Sequence, residues 1–202
     1  MYTLYYFPNA CSLATQVVLH ELGQPVELIN VQQVHDFSTI NPVATVPVLV
    51  ESTHVHREGA AIMLYLLDKY QNAMLPAAGK LRDKAIEDIM FANATMHPAY
   101  SRLFFIDQHI SAPVAKQSAF VAAAQAISRL WQVVELRLAE QDFLGGDQPS
   151  AADIMLAVYS RWGASFPVEL ALGEKTRVML DAVQAMPNFQ RALAAEQRQS
   201  AA

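Results

Sequence analysis

Residues 40–70 read INPVATVPVLVESTHVHREGAAIMLYLLDKY. Two short runs of strand-forming residues, VPVLV and HVH, are joined through ESTH, and the chain then changes period. In EGAAIMLYLLDKY, Ile62, Leu66 and Tyr70 recur every fourth position, the spacing of one helical face. Strand, strand, helix is the order predicted here. Upstream, YTLYYF is rich in β-formers and stops at Pro8, SLATQVVLHELG has a helical pattern closed by Gly23, and PVELINV is a second strand run. A β-α-β unit followed by β-β-α predicts a small α/β layer on a mixed sheet.

From about residue 80 the strand signals stop. NAMLPAAGK carries Pro76 and Gly79 and reads as a linker, which divides the chain into a first domain, 1–75, and an all-helical second domain, 82–202. Phe120, Ala124, Ile127, Trp131, Val134 and Leu138 step by 4, 3, 4, 3, 4 and form the buried stripe of a long helix. PSAADIMLAVYSRW begins with Ser150 and has Asp153 three residues on, a capping box with Asp in place of Glu that opens a buried helix. MPNFQRALAAEQ makes a last short helix. No internal repeat or low-complexity tract is found.

With 53% hydrophobic and 16% charged residues in 202, the chain has the composition of a folded protein of one or two domains. The net charge of −5 provides no electrostatic footprint for nucleic acid or an anionic membrane. No apolar run reaches the roughly 18 residues a membrane span needs, and the first residues lack the pattern of a signal peptide. A single cysteine, Cys11, cannot make an intrachain disulfide, which predicts a free thiol in the cytoplasm. Cys11 lies where a strand gives way to a helix. There it is either small apolar filler or a thiol whose pKa the helix N-terminus lowers. His54 and His56 alternate on a short strand with no third ligand at metal spacing, so no metal is expected. GEKTR and GGDQPS lack a phosphate-loop pattern. Met90, Asn93, His97, Tyr100 and Phe104 step by 3, 4, 3, 4, and polar groups on such a face predict a cleft.

Three separated segments, residues 40–70, YYFPNACSLA and FLGGDQPSAADI, together resemble the glutathione transferase superfamily over most of the chain. The Tyr, Cys and Ser of the second segment and the Glu-Gly of REGAAI are most similar to its bacterial beta class. The resemblance implies a thioredoxin-like N-terminal domain, an all-helical second domain, a homodimer, and glutathione bound mainly by the first domain. Two departures stand out. The family usually has Gly where this chain has Ala44, and several beta-class members carry, before Asn-Pro, a Lys that reaches the glycyl carboxylate of glutathione. Here VQQVHDFSTI offers His35, Gln32 and Gln33.

The resemblance also implies roles. Glu58 supplies the family's acidic residue, and the backbone N–H groups of Gly59 and Ala60 face the γ-glutamyl carboxylate at a helix start. The Val46 main chain pairs with the cysteinyl part of glutathione, and the bond to Pro47 is cis. Lowering a thiol pKa by about two units takes about 2.7 kcal/mol, more than the roughly 0.3–2 kcal/mol of a helix N-terminus. Donors to the sulfur must supply the rest, and the candidates are Cys11, Ser12 and Tyr6. His97 takes the place of a His near the thiol and the electrophile, with Pro98 where a Lys often follows. The implied activity is conjugation of glutathione to small hydrophobic electrophiles. Its alternatives are thiol-disulfide or dehalogenation chemistry through Cys11, and a binding protein without catalysis.

Overall fold

The computed structural model describes residues 1–200. Strand β1 (Tyr2–Tyr6) runs parallel to β2 (Val26–Asn30), because helix α1 (Ser12–Glu21) carries the chain back between them. On its other side β1 pairs antiparallel with β3 (Val48–Glu51), which pairs with β4 (His54–Arg57) across a tight turn where Ser52 takes a φ of 54°. The order β2-β1-β3-β4 is a four-stranded mixed sheet. Alternate residues Tyr2, Leu4 and Tyr6 point inward and are buried. Leu4, opposite Leu49 in the register, joins Leu19 of α1 and Ile62 and Leu66 of α2 (Gly59–Lys69) in one apolar cluster. This is the thioredoxin-like arrangement, followed in the chain by helices alone.

Those helices are α3 (Lys80–Met90), α4 (His97–His109), α5 (Pro113–Arg137), α6 (Ala151–Ser160), α7 (Glu174–Ala185) and α8 (Pro187–Ser200). The stripe from Phe120 to Leu138 is buried throughout, and Trp131 Nε1 donates to the Tyr100 hydroxyl at 2.9 Å within the core. The box at Ser150 is complete, with reciprocal bonds between Ser150 and Asp153. No helix among the described residues is long and apolar enough to cross a membrane.

The chain forms two compact units, Met1–Ile86 with the segment from Gln184 on, and Glu87–Val183. The division at 75–82 expected from the linker would place α8 with the other helices. In the structure α8 packs along α1 instead. Both faces of α1 are thereby covered, and Ser12 to Leu19 are all buried.

One local expectation is corrected. The 3, 4, 3, 4 stripe from Met90 to Phe104 assumes an unbroken 3.6-residue period, but Phe91–Met96 is a π-helix. Its wider turn shifts the phase. Tyr100 therefore turns into the core, while Met90 and Phe104 stay partly exposed.

Candidate functional site

In the first unit, residues far apart in sequence meet at the start of α1. Cys11 occupies the position before the helix, and its thiol donates to the Val46 carbonyl at 3.2 Å. The Val46–Pro47 bond is cis. Asn41 shapes the approach to this turn: its Nδ2 donates to the Thr45 carbonyl at 2.8 Å and its Oδ1 accepts from Val43 N at 3.3 Å. Ala44 sits there with a φ of 56°, a left-handed conformation that glycine adopts without strain.

Cys11 is half-buried. Burial pushes its thiol up to about 11, against the opposing pull of the Cys11 and Ser12 N–H groups. This corrects the expectation of a depressed pKa: desolvation of the thiolate outweighs the helix N-terminus, and the proton is held on the Val46 carbonyl. Alkylation by a small reagent such as iodoacetamide is expected to accelerate about ten-fold per pH unit up to near pH 11, since only the thiolate attacks. A rate already level by pH 9 would show that the thiolate is stabilised after all.

Tyr6 and Ser12 have no exposed surface. The Ser12 hydroxyl donates to the Phe7 carbonyl and accepts from Phe7 N, both at 3.4 Å, so it braces the loop between β1 and α1. Burial, and then the charge of Glu196, raise the Tyr6 pKa. Of the three expected sulfur donors, Cys11 alone presents surface. Tyr6 belongs to the core.

Glu196 is a member of this neighbourhood that sequence reasoning missed. Its Oε2 accepts from the backbone N–H of Asn9 at 2.9 Å, where Asn9 holds a φ of 59° two residues before Cys11. The signal was present: Phe189, Ala192 and Glu196 step by 3 and 4 along α8 and are all buried, so a carboxylate lies on the apolar stripe. Gln16, one turn beyond Ser12, is also fully buried, and neither end of its amide has a hydrogen-bond partner. Each unsatisfied group costs about 1–3 kcal/mol. Gln16→Met, of similar shape, is expected to raise Tm by several degrees, at about 2–4 °C per kcal/mol. An unchanged or lower Tm on thermal unfolding would mean that a buried water already satisfies the amide.

Glu58 precedes α2 with φ 68° and ψ 115°, outside the conformations L-residues favour, and its exposed side chain caps nothing. Such strain costs about 1–3 kcal/mol and persists where the surrounding structure imposes it. The first-turn N–H groups from Gly59 onward, which have no intrahelical acceptor, are thereby left for an anion. His35 is exposed between two 3-10 turns, Val31–Gln33 and Phe37–Thr39. Arg57 ties that segment to β4 through two bonds to the Ile40 carbonyl, at 2.6 and 3.1 Å.

In the second unit His97 opens α4. Its ring meets the edges of Tyr159 and Trp162 at 5.1 and 5.2 Å, and Nδ1 lies 3.4 Å from the Ser101 hydroxyl. Burial lowers its pKa, so the imidazole is neutral at pH 7. Phe104 continues the aromatic wall against Trp162 and Phe166, with centroids at 5.9 and 4.8 Å.

A thioredoxin-like unit that sets a cysteine at a helix start against a Val-Pro turn, in a chain that continues as helices, defines a class of thiol-handling proteins. Comparison with known proteins narrows it. Residues 10–74 match the N-terminal domain family of glutathione S-transferases, and residues 92–185 match the C-terminal domain family. The chain is 31% identical over 174 residues to glutathione S-transferase GST-4.5 of Xanthomonas campestris, covering 83% of this chain and 85% of that one. Among solved structures, the bacterial beta-class enzyme of Sphingomonas chungbukensis superposes with a TM-score of 0.84 at 27% identity, covering 96% and 98% of the two chains. A sphingomonad glutathione S-transferase complexed with glutathione gives 0.83 at 29% identity, with the same coverage. The chain belongs to the glutathione S-transferase family.

Proposed function

We propose that this protein conjugates the thiolate of glutathione to small hydrophobic electrophiles. The observation that carries the reading is the meeting of Cys11 with Val46 beside cis-Pro47, in a family member whose α2 opens on Glu58 and Gly59. The relative crystallised with glutathione supports the ligand.

In this reading residues 1–75 form the glutathione-binding domain and residues 82–202 supply the electrophile site. Glu58 takes the ammonium of the γ-glutamyl group, and the N–H groups of Gly59 and Ala60 take its carboxylate. The Val46 backbone pairs with the cysteinyl residue, and His35 serves the glycyl carboxylate. Cys11, a protonated thiol at neutral pH, donates to the glutathione sulfur and so favours its thiolate. Ser12 and Tyr6 hold the loop that aims it. His97 stays uncharged in its aromatic surroundings and faces the electrophile. The raised Cys11 thiol weighs against the alternative in which Cys11 itself attacks a disulfide.

The protein acts in the cytoplasm as a homodimer, without a metal. Sedimentation at micromolar concentration is expected to give twice the chain mass of 22.3 kDa. A monomer would remove the dimer from the proposal. The function itself is tested by calorimetry with glutathione, then by a panel of chloronitroarenes, enones and epoxides with and without it. No binding at millimolar glutathione would favour a protein without this catalysis.

A further inference from the structure

A groove of about 500 Å3 runs along α5 beneath residues 167–171, wholly within the second unit and apart from the residues above. Small-ligand sites typically measure about 300–1,000 Å3. Its outer wall has no regular secondary structure but is fastened. Ala171 N donates to the Ser128 hydroxyl at 3.0 Å, and farther along α5 Glu135 accepts from the N–H groups of Lys175 and Thr176 at 3.1 and 2.8 Å. At Gly173 a Cβ would fall 2.1 Å from the Glu135 side chain, so the backbone lies close against the helix.

The lining has three kinds of chemistry. Val121, Ala124, Pro167 and Val168 give it an apolar part. Gln117, Gln125 and Gln132, spaced by 8 and 7 residues, repeat about every two helical turns, roughly 11 Å apart, and line it with amides. Arg129 and Glu169 put opposite charges in the same groove, and neither has an ion pair or side-chain hydrogen bond among the described residues. An apolar ligand would leave the amides and both charges unsatisfied. A phosphate or other compact anion would meet the repulsion of Glu169.

We infer that this groove binds a short zwitterionic peptide. Arg129 takes the terminal carboxylate, Glu169 the terminal ammonium, the glutamine amides the peptide groups, and the apolar part the side chains. The inference does not depend on the glutathione reading, because no residue is shared.

Titration of the full chain with Ala-Ala-Ala, its C-terminal amide and its N-acetyl form, followed by heteronuclear NMR, tests it. The free tripeptide is expected to shift signals of residues 117–132 and 167–171. Blocking either end is expected to weaken binding about three- to ten-fold, as for partly exposed charge pairs. Arg129→Gln should erase the difference between acid and amide, and Glu169→Gln that between free and acetylated amine, with glutathione conjugation unchanged in both. Shifts confined to other residues, equal affinity for the three peptides, or no shift at millimolar peptide would overturn the inference.

Discussion

Asp153→Ala is expected to destabilise the protein by about 3–5 kcal/mol, the cost of breaking a buried charged network, and to lower Tm by roughly 10 °C or more. Asp153 has no exposed surface. Its Oδ1 accepts from Leu144 N at 2.9 Å, while Oδ2 accepts from Ser150 N at 2.8 Å, the Ser150 hydroxyl at 2.7 Å and Gly145 N at 3.3 Å. The residue thus starts α6 and also gathers the loop before it. Alanine orphans four donors, most of them buried. Asp153→Asn is no rescue, since half of its amide is itself a donor.

Burial holds the Asp153 carboxyl above its ordinary range despite those bonds. A raised folded pKa means that this linkage favours the fold most below the unfolded pKa and is lost as pH rises through the folded one. The gap between wild type and Asp153→Ala should therefore narrow from acid toward neutral pH. Urea unfolding across that range measures it. A loss below about 1 kcal/mol at every pH would show that Ser150 alone suffices as a cap, in the range of an ordinary capping residue.

Glu58→Ala is expected to weaken glutathione binding by about 1.5–3 kcal/mol, or roughly 10- to 150-fold, the range for hydrogen bonds to charged groups. The fold should survive, because the side chain is exposed and caps nothing. The backbone provides a control. Glu58→Gly removes the same carboxylate but adopts φ 68° without strain, so it should lose affinity while gaining up to about 1–2 kcal/mol of stability. Calorimetry and thermal unfolding of both variants separate the two effects. Unchanged affinity in either folded variant would take Glu58 out of the site.

What could be read beforehand follows from the range of the interactions involved. The order of strands and helices, the Ser150 box and the Phe120 to Leu138 stripe depend on residues a few positions apart, and the structure contains all of them. The Cys11 thiol went the other way because desolvation depends on what the whole fold lays over a group. Helical spacing around Asn93 was misread because nothing local distinguishes a π-turn from an α-turn there. Glu58 looked like an ordinary helix opening, yet its left-handed backbone is imposed by the chain on either side. Glu196 stood on an apolar stripe, but its partner is 187 residues away.

That last bond has a bearing on synthesis. The loop carrying Cys11 is braced by a residue near the end of the chain, and α1 is covered by α8. While the ribosome is still adding the helices from α3 to α7, the earliest strands have been made but lack this cover. At about 5–20 residues per second, the interval from residue 86 to residue 196 is roughly 5–20 s. Through that time α1 exposes a face that must later be buried, so its completion is an event that follows translation, and nascent chains stopped short of α8 are the ones most in need of a chaperone.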